Sequence, residues 1–240
     1  MDLRTAFEPE AVTSVVGAGG KKSTLYALAA ELNRAVVTAT VRIPPFEDRV
    51  ERLELTETPA ATVPDNERWP LGVVPGRDGN RDRYLGYDTE RIDDLAAATE
   101  APILVKADGA RTRWLKAPAS DEPQVPATSD LVVPVASVRA VGKPIDDEHV
   151  HRPERVASLL DRPVGSQIRP TDIVRVLRGE RGGLKGIPDS ARVVPLLNMV
   201  DDDDLESVAE AMAVDLLVDE RIDRVVLGRM DRGEALAVIA

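Results

Sequence analysis

The chain has 240 residues, no cysteine and two histidines, and its formal net charge is −11. The lack of cysteine excludes disulfides, a thiolate metal site and a cysteine nucleophile, and the negative charge disfavours nucleic acid and anionic membranes as partners. No apolar run is long enough to span a membrane, and the N-terminus has no apolar signal core. We therefore expect a cytoplasmic protein, and the length favours a single domain over 1–240.

The basic residues are almost all arginine. The chain contains 25 Arg and 6 Lys beside 42 acidic residues. An acidic, lysine-poor surface favours a halophilic protein from a high-salt cytoplasm, because carboxylates keep such a surface soluble. GC-rich codon usage is the alternative explanation, since it also favours Arg, Asp, Ala and Val.

The predicted elements alternate between strands and helices. Short apolar, β-branched runs predict buried strands at 11–16, 35–40, 101–110, 129–138, 191–200 and 222–230. Apolar spacing and terminal signals predict helices at 22–32, 90–99, 152–160, 169–179 and 201–217. Strands that are apolar throughout and alternate with helices indicate an α/β fold with a mostly parallel sheet flanked by helices.

Two stretches interrupt this alternation. Residues 51–90 are polar and broken by prolines and glycines, which predicts an irregular excursion with a short hairpin around "WPLGVV". Residues 140–190 are predicted to form a helical insertion within the single domain.

A glycine-rich segment, "VVGAGGKKST", joins the first strand to the first helix. It departs from the G-x-x-x-x-G-K-[ST] phosphate loop in either register, and Lys22 stands where a dinucleotide fingerprint needs glycine. Its glycines, cations and hydroxyls still suit phosphates at a helix N-terminus. The predicted nucleotide-binding residues are Gly17, Ala18, Gly19, Gly20, Lys21, Lys22, Ser23 and Thr24. The alternative is a glycine-rich turn that holds no ligand.

Two later positions suit a nucleotide. Asp108 ends an apolar strand, where an aspartate can organise Mg²⁺; the alternative is a turn-forming Asp-Gly. Asn198 and Asp201 follow the fifth predicted strand in an N-x-x-D arrangement that could read a guanine base. Alternatively, these two residues cap the next helix.

With these segments in place, the chain resembles the YqeC family over nearly its whole length. The resemblance rests on seven ordered segments: "VVGAGGKKST", "ILVKADGAR", "LKAPASDEPQVP", "ASVRAVGKPIDDEHVHRPE", "GGLKGIP", "PLLNMVD" and "IDRVVLG". It implies a P-loop NTPase-like three-layer architecture, nucleotide binding, and a role in the maturation of selenium-dependent molybdenum hydroxylases.

The chain departs from the family pattern at three places. Lys22 replaces a hydroxyl, so that Mg²⁺ would use Ser23 or Thr24 with Asp108. Lys106 replaces a glutamate, and a threonine run is reduced to Thr38 and Thr40. These changes favour nucleotide binding without fast hydrolysis.

Further polar residues are candidates for contacts with an anion or a substrate. They are Thr38, Thr40, Arg111, Lys116, His151, Arg152 and Lys185. Local ion pairing is the alternative for the basic cluster that follows Asp108, and seating of the next helix is the alternative for His151 and Arg152. Lys185 lies in a glycine loop that is either a lid or a tight connection.

The leading hypothesis is a nucleotide-binding accessory protein that uses GTP or ATP with Mg²⁺ and serves molybdenum hydroxylases. Any NTPase activity would be slow or gated by a partner, because no residue that positions the attacking water can be named. The alternatives are a non-hydrolysing carrier of the phosphate-bearing molybdopterin cofactor and a small-molecule kinase. A homo-oligomer is compatible with the sequence.

Overall fold

The computed structural model describes all residues from 1 to 240. The strands are β1 (Val12–Gly17), β2 (Val36–Ala39), β3 (Arg52–Leu55), β4 (Leu71–Val74), β5 (Ile103–Lys106), β6 (Leu115–Lys116), β7 (Leu131–Ser137), β8 (Val150–His151), β9 (Arg192–Val193), β10 (Leu196–Asn198), β11 (Val225–Arg229) and β12 (Glu234–Ile239). The helices are α1 (Leu3–Phe7), α2 (Lys21–Leu32), α3 (Pro59–Thr62), α4 (Thr89–Ala98), α5 (Pro153–Leu160), α6 (Pro170–Arg178) and α7 (Asp203–Leu216). The prediction of an α/β fold is confirmed.

Ten strands form one large sheet, in the order β12-β11-β10-β7-β1-β5-β2-β4-β3, with β9 beside β7. All neighbours run parallel except β11 and β12, which are antiparallel. From β1 the chain moves to one side of the sheet, and after β5 it crosses to β7 on the other side. The carboxyl ends of β1, β5 and β7 therefore border the reversal of strand order, where open α/β sheets bind ligands.

Helices cover both faces of the sheet. Because successive side chains of a strand point to opposite sides, one strand contributes residues to the cores on both faces. Leu104 of β5 packs in a core with α1 and α2, whereas its neighbours Ile103 and Val105 pack in a core with α4. Leu196 and Leu197 of β10 divide in the same way between the α2 side and a core that includes α5, α6 and α7. The three-layer arrangement is consistent with the predicted P-loop NTPase-like architecture.

The structure of residues 51–90 differs from the irregular excursion that the sequence predicts. It contains β3 and β4, which pair in parallel and extend the main sheet, so the predicted hairpin around "WPLGVV" is wrong. Leu71–Val74 is fully buried, as a strand covered on both faces should be.

The C-terminal third also differs in detail from the prediction. The strand expected at 191–200 is divided into β9 and β10 around Pro195, whose ring cannot donate to a ladder. An additional strand, β12, follows the one predicted to be last. Within 140–190, α5 and α6 share a hydrophobic core with α7 and β11, so these helices complete one layer of the domain. No helix is both long and apolar enough to cross a membrane.

Candidate functional site: a cationic cleft at the start of α2

The turn between β1 and α2 has a conformation that requires glycine at three positions, one of which is Gly19, with a φ of +87° and the backbone of Ser137 close by. Gly17 and Gly20 have φ angles of +90° and +133°, which L side chains rarely adopt. A Cβ atom on Gly17 would overlap the carbonyl oxygen of Val135, and one on Gly20 would overlap the side-chain amide of Asn198. The glycines therefore let the turn pass close to β7 and β10.

Hydrogen bonds to three distant segments hold this turn in place. The N–H groups of Gly17 and Gly19 donate to Asp108 Oδ2 at 2.9 Å and to Arg113 O at 2.8 Å. The side-chain amide of Asn198 donates to Gly19 O at 2.7 Å. A preformed turn of this kind loses little conformational freedom when it binds a ligand.

Three backbone donors remain at the start of α2. No protein acceptor takes a hydrogen bond from the N–H groups of Gly20, Lys22 or Ser23. Unpaired N–H groups and the positive end of the helix dipole attract anions. The geometry of "VVGAGGKKST" therefore provides what phosphate binding needs, although its spacing is unusual.

These donors open into a cleft of about 360 Å³, within the roughly 300–1,000 Å³ typical of small-molecule sites. Seven of its lining residues are basic and none is acidic: Lys21, Lys22, Arg42, Arg83, Lys106, Arg111 and Arg113. Of these, only Lys21 and Arg42 form ion pairs with carboxylates. Five basic residues without a carboxylate partner, in a chain of net charge −11, make this cleft a candidate site for an anion.

Lys21 is the buried cation at the base of the cleft. Its ammonium group lies 3.0 Å from Asp108 Oδ1 and donates to the carbonyl oxygen of Gly17. Burial lowers the pKa of Lys21, and the Asp108 carboxylate opposes that effect. In this structure Lys21 therefore neutralises Asp108 and stabilises the turn.

Asp108 forms ion pairs with more than one basic group. Lys116 Nζ lies 2.9 Å from Asp108 Oδ2, the atom that also accepts from the Gly17 N–H. Burial alone would raise the pKa of Asp108, but the ammonium groups of Lys21 and Lys116 hold it below its usual value. Asp108 is thus an ionised carboxylate enclosed by cations behind the turn, and it does not line the cleft.

The residues predicted to hold Mg²⁺ do not come together as an ion site. Ser23 lines the cleft, but Thr24 is buried and its hydroxyl donates to Gly20 O at 3.1 Å. The carboxylate of Asp108 lies between two lysines. Because Mg²⁺ is normally held by one or two carboxylates together with substrate phosphates, this donor set does not fit the ion.

Lys106 projects from the end of β5 into the same cleft. Its ammonium group donates to Arg42 O at 3.0 Å and has no carboxylate within ion-pair distance. Burial, together with the nearby charge of Lys21, lowers the pKa of Lys106 to about 7. A buried amine without a counterion is costly, and a bound anion would relieve that cost.

Asn198 fastens the turn to the sheet. While its amide donates to Gly19 O, its Oδ1 accepts from the Met230 N–H at 2.9 Å, so both polar atoms are already engaged. Asp201 pairs with Arg139 at a more exposed position. Neither residue caps α7, because Asp202 does so by accepting from the Leu205 N–H at 2.8 Å. The capping alternative is therefore wrong, and base reading by Asp201 remains a prediction.

Several predicted contacts lie behind the cleft, in a network centred on Glu122. The Glu122 carboxylate accepts from Lys116 Nζ at 2.8 Å and also pairs with Arg152. Lys185 donates to the backbone carbonyls of Ser120 and Glu122, at 2.9 and 2.6 Å. None of these side chains lines the cleft, so they hold the segment that follows Asp108.

His151 belongs to the short strand β8, beside Lys116 of β6. Burial, and then the charge of Arg152, lowers the pKa of His151 to about 4, so the ring is neutral at pH 7. Its place in the sheet formed by β6 and β8 agrees with the alternative in which it seats the following helix.

The two threonines of the shortened run also have structural partners. The Thr38 hydroxyl donates to Val73 O at 2.8 Å, and the Thr40 hydroxyl donates to Gln124 O at 2.6 Å. Neither residue lines the cleft. Thr38 ties β2 to β4, and Thr40 ties the end of β2 to the segment around Glu122.

Sequence reasoning missed Arg42 and Arg83 as members of the cleft. Arg42 lies just after β2, at the carboxyl edge of the sheet, where its position was a usable signal. Arg83 lies in the stretch 51–90 and carries no local motif. Lys106 was visible in the sequence as a departure from the family pattern, but its contribution to an anion site depends on the other basic residues of the cleft.

A larger groove of about 780 Å³ adjoins the cationic cleft and shares Lys22 and Ser23 with it. Its other charged residues include three acids and one base: Asp48, Arg49, Glu51 and Asp231. Because this groove has no excess of positive charge, the smaller cleft is the better candidate for an anionic ligand.

Comparison with known proteins agrees with the resemblance that the sequence motifs indicate. The family described as "YqeC protein" matches residues 13–154, a stretch that begins just before the glycine turn. This chain belongs to the YqeC family. A relative from Escherichia coli (strain K12), named "Uncharacterized protein YqeC", is 27% identical over 239 residues, which cover 94% of this chain and 90% of that protein.

Proposed function

We propose that this YqeC family member binds a nucleotide, GTP or ATP, with its phosphates in the cationic cleft. One observation carries the proposal: unpaired N–H groups at the start of α2 open into a cleft lined by seven basic residues and no acidic residue. Phosphates accept strong charge-assisted hydrogen bonds from such groups.

The same proposal includes slow or partner-gated hydrolysis. Phosphoryl transfer relies on positioning and charge neutralisation, and a general base or water-positioning group is also needed for fast attack by water. The cleft supplies cations but no carboxylate or imidazole. Any NTPase activity therefore needs groups from a partner.

In this proposal the protein serves the maturation of molybdenum hydroxylases, and a hydroxylase or its cofactor is the expected partner. A non-hydrolysing carrier of the phosphate-bearing molybdopterin cofactor is the second candidate. The position of Asn198 favours it, because that side chain is buried and its hydrogen bonds hold the glycine turn and the Met230 N–H rather than a base.

A thermal-shift panel with GTP, GDP, ATP, CTP and inorganic phosphate tests nucleotide binding. A ligand at 100 times its Kd stabilises the folded protein by about 2.7 kcal/mol, which corresponds to roughly 5–10 °C for a domain of this size. We expect shifts with GTP or ATP that fall sharply in Lys22→Ala and Arg111→Ala. These variants are preferable to Lys21→Ala, which would also leave the buried Asp108 with one cation fewer.

Lys143→Ala is the matched control, because Lys143 is exposed and does not line the cleft. Loss of the shift in this control as well would point to non-specific charge effects. A base-independent shift that Asp201→Ala does not change would favour the cofactor carrier, and no shift with any nucleotide would reject nucleotide binding.

A further inference from the structure

We infer that the cationic cleft binds its phosphate-bearing ligand as a metal-free polyanion, with lysine and arginine side chains in place of Mg²⁺. The assignment rests on the proposed function and specifies the ligand's form. Three features of the cleft support it.

The first feature is the lack of a carboxylate that can reach an ion. None of the lining residues is acidic, and Asp108, at the end of the strand beside the turn, already pairs with Lys21 and Lys116 at 3.0 and 2.9 Å. To bind Mg²⁺, Asp108 would have to give up a buried pairing. Breaking such a pairing costs free energy, because it leaves a buried charge uncompensated.

The second feature is the position of Lys106. Its ammonium group lies in the cleft at the end of β5, two residues before Asp108, and is almost fully buried. Lys106 and Asp108 lie close enough for their charges to interact, so an ammonium group at Lys106 would also lie close to a metal ion bound by Asp108. Like charges at short range repel strongly when they are shielded from water, so Lys106 favours phosphate and disfavours a divalent cation.

The third feature is the excess of cationic groups. Lys22, Arg83, Lys106, Arg111 and Arg113 line the cleft without carboxylate partners. They outnumber the three phosphoryl groups of a nucleoside triphosphate. Guanidinium groups bind phosphate through paired hydrogen bonds, so the arginines can take over the charge neutralisation that Mg²⁺ supplies elsewhere.

The test measures the thermal shift of the full chain with GTP, ATP and inorganic tripolyphosphate, in excess EDTA and in excess Mg²⁺ at the same ionic strength. We expect shifts in EDTA that equal or exceed those in Mg²⁺, because Mg²⁺ masks the phosphate charge that the cleft recognises. Lys106→Gln and Arg111→Gln should each weaken binding in EDTA by about tenfold, the value of one charge-assisted hydrogen bond. Arg111 is exposed, so its variant remains informative if the buried Lys106→Gln variant fails to fold.

Lys143→Gln and Arg91→Gln are the matched controls, since both residues are exposed and lie outside the cleft. Shifts that occur only with Mg²⁺ would overturn the metal-free inference and leave nucleotide binding standing. Shifts in EDTA with tripolyphosphate but not with GTP or ATP would support a metal-free polyanion site and reject the nucleotide. No shift with any of these probes would overturn both.

Discussion

Glu122 shows how one carboxylate can connect several segments near the cleft. It accepts from Lys116, pairs with Arg152 and also accepts from the Ala119 N–H at 3.3 Å. Burial would raise the pKa of Glu122, but the hydrogen bond from Arg152 and the charge of Lys116 lower it to about 2. Because Lys116 also pairs with Asp108, which accepts from the Gly17 N–H, Glu122 is linked to the glycine turn through two intermediate residues.

We predict that Glu122→Gln destabilises the protein by about 3 kcal/mol at pH 7, the cost of breaking a largely buried pair. The folded-state pKa lies below the unfolded one, so the ionised carboxylate stabilises the fold above about pH 4.5, and this contribution is lost as the pH falls towards about 2. Denaturant unfolding measured across this pH range should show the two proteins converging at low pH. The exposed Glu67→Gln is the control, and a gap that stays constant down to pH 2 would contradict the assignment.

At the scale of the element, the glycine turn needs glycine for two reasons: its φ angles are positive, and the backbone of a neighbouring strand lies close to it. Gly17 and Gly142 both have positive φ, +90° and +77°, but only Gly17 has a backbone neighbour that a Cβ would overlap. The pair therefore separates the cost of a left-handed conformation from the cost of a clash.

We predict that Gly142→Ala lowers the Tm by roughly 2–8 °C, since a left-handed residue costs about 1–2 kcal/mol. Gly17→Ala should lower it further, because the Val135 carbonyl must move away, and should also abolish the thermal shift caused by nucleotide. Thermal unfolding with and without GTP measures both effects. Equal losses of stability in the two variants would mean that the turn is not packed against β7.

The elements that could be predicted from sequence are those with strong local patterns. β1, α2 and the glycine turn follow one another in a short segment, so apolar runs and glycines were sufficient. β3 was missed, and β4 was taken for part of a hairpin, because both are short and are surrounded by prolines and glycines. Their place in the sheet depends on distant partners.

Only part of the candidate site could be predicted, because only part of it is formed by residues that are close in sequence. The turn and its cations were visible locally, whereas Asn198 contacts Gly19 across 179 residues of sequence. An N-x-x-D motif does not reveal that its asparagine forms a hydrogen bond with the glycine turn. Arg83 likewise becomes part of the cleft only when the segment 51–90 packs beside β2.

At the scale of the whole molecule, the positive and negative charges are unevenly distributed. The chain has 42 acidic and 31 basic residues, yet the cationic cleft collects seven of the basic residues and none of the acidic ones. Repulsion among carboxylates elsewhere on the surface opposes folding, and attraction within the cleft favours an anionic ligand. Salt screens both effects, so its consequences for stability and for binding have opposite signs.

We predict that raising KCl from about 0.1 M to about 1 M increases the Tm of the ligand-free protein and decreases the shift produced by GTP. Over this range the screening length falls from about 10 Å to about 3 Å, which weakens the repulsion between surface carboxylates and the attraction of the cleft for phosphate. Sucrose at matched osmolality is the control, because it favours compact states without screening charge. A GTP shift that stays constant across the salt range would show that contacts with the base and ribose, rather than the seven cations, supply most of the binding free energy.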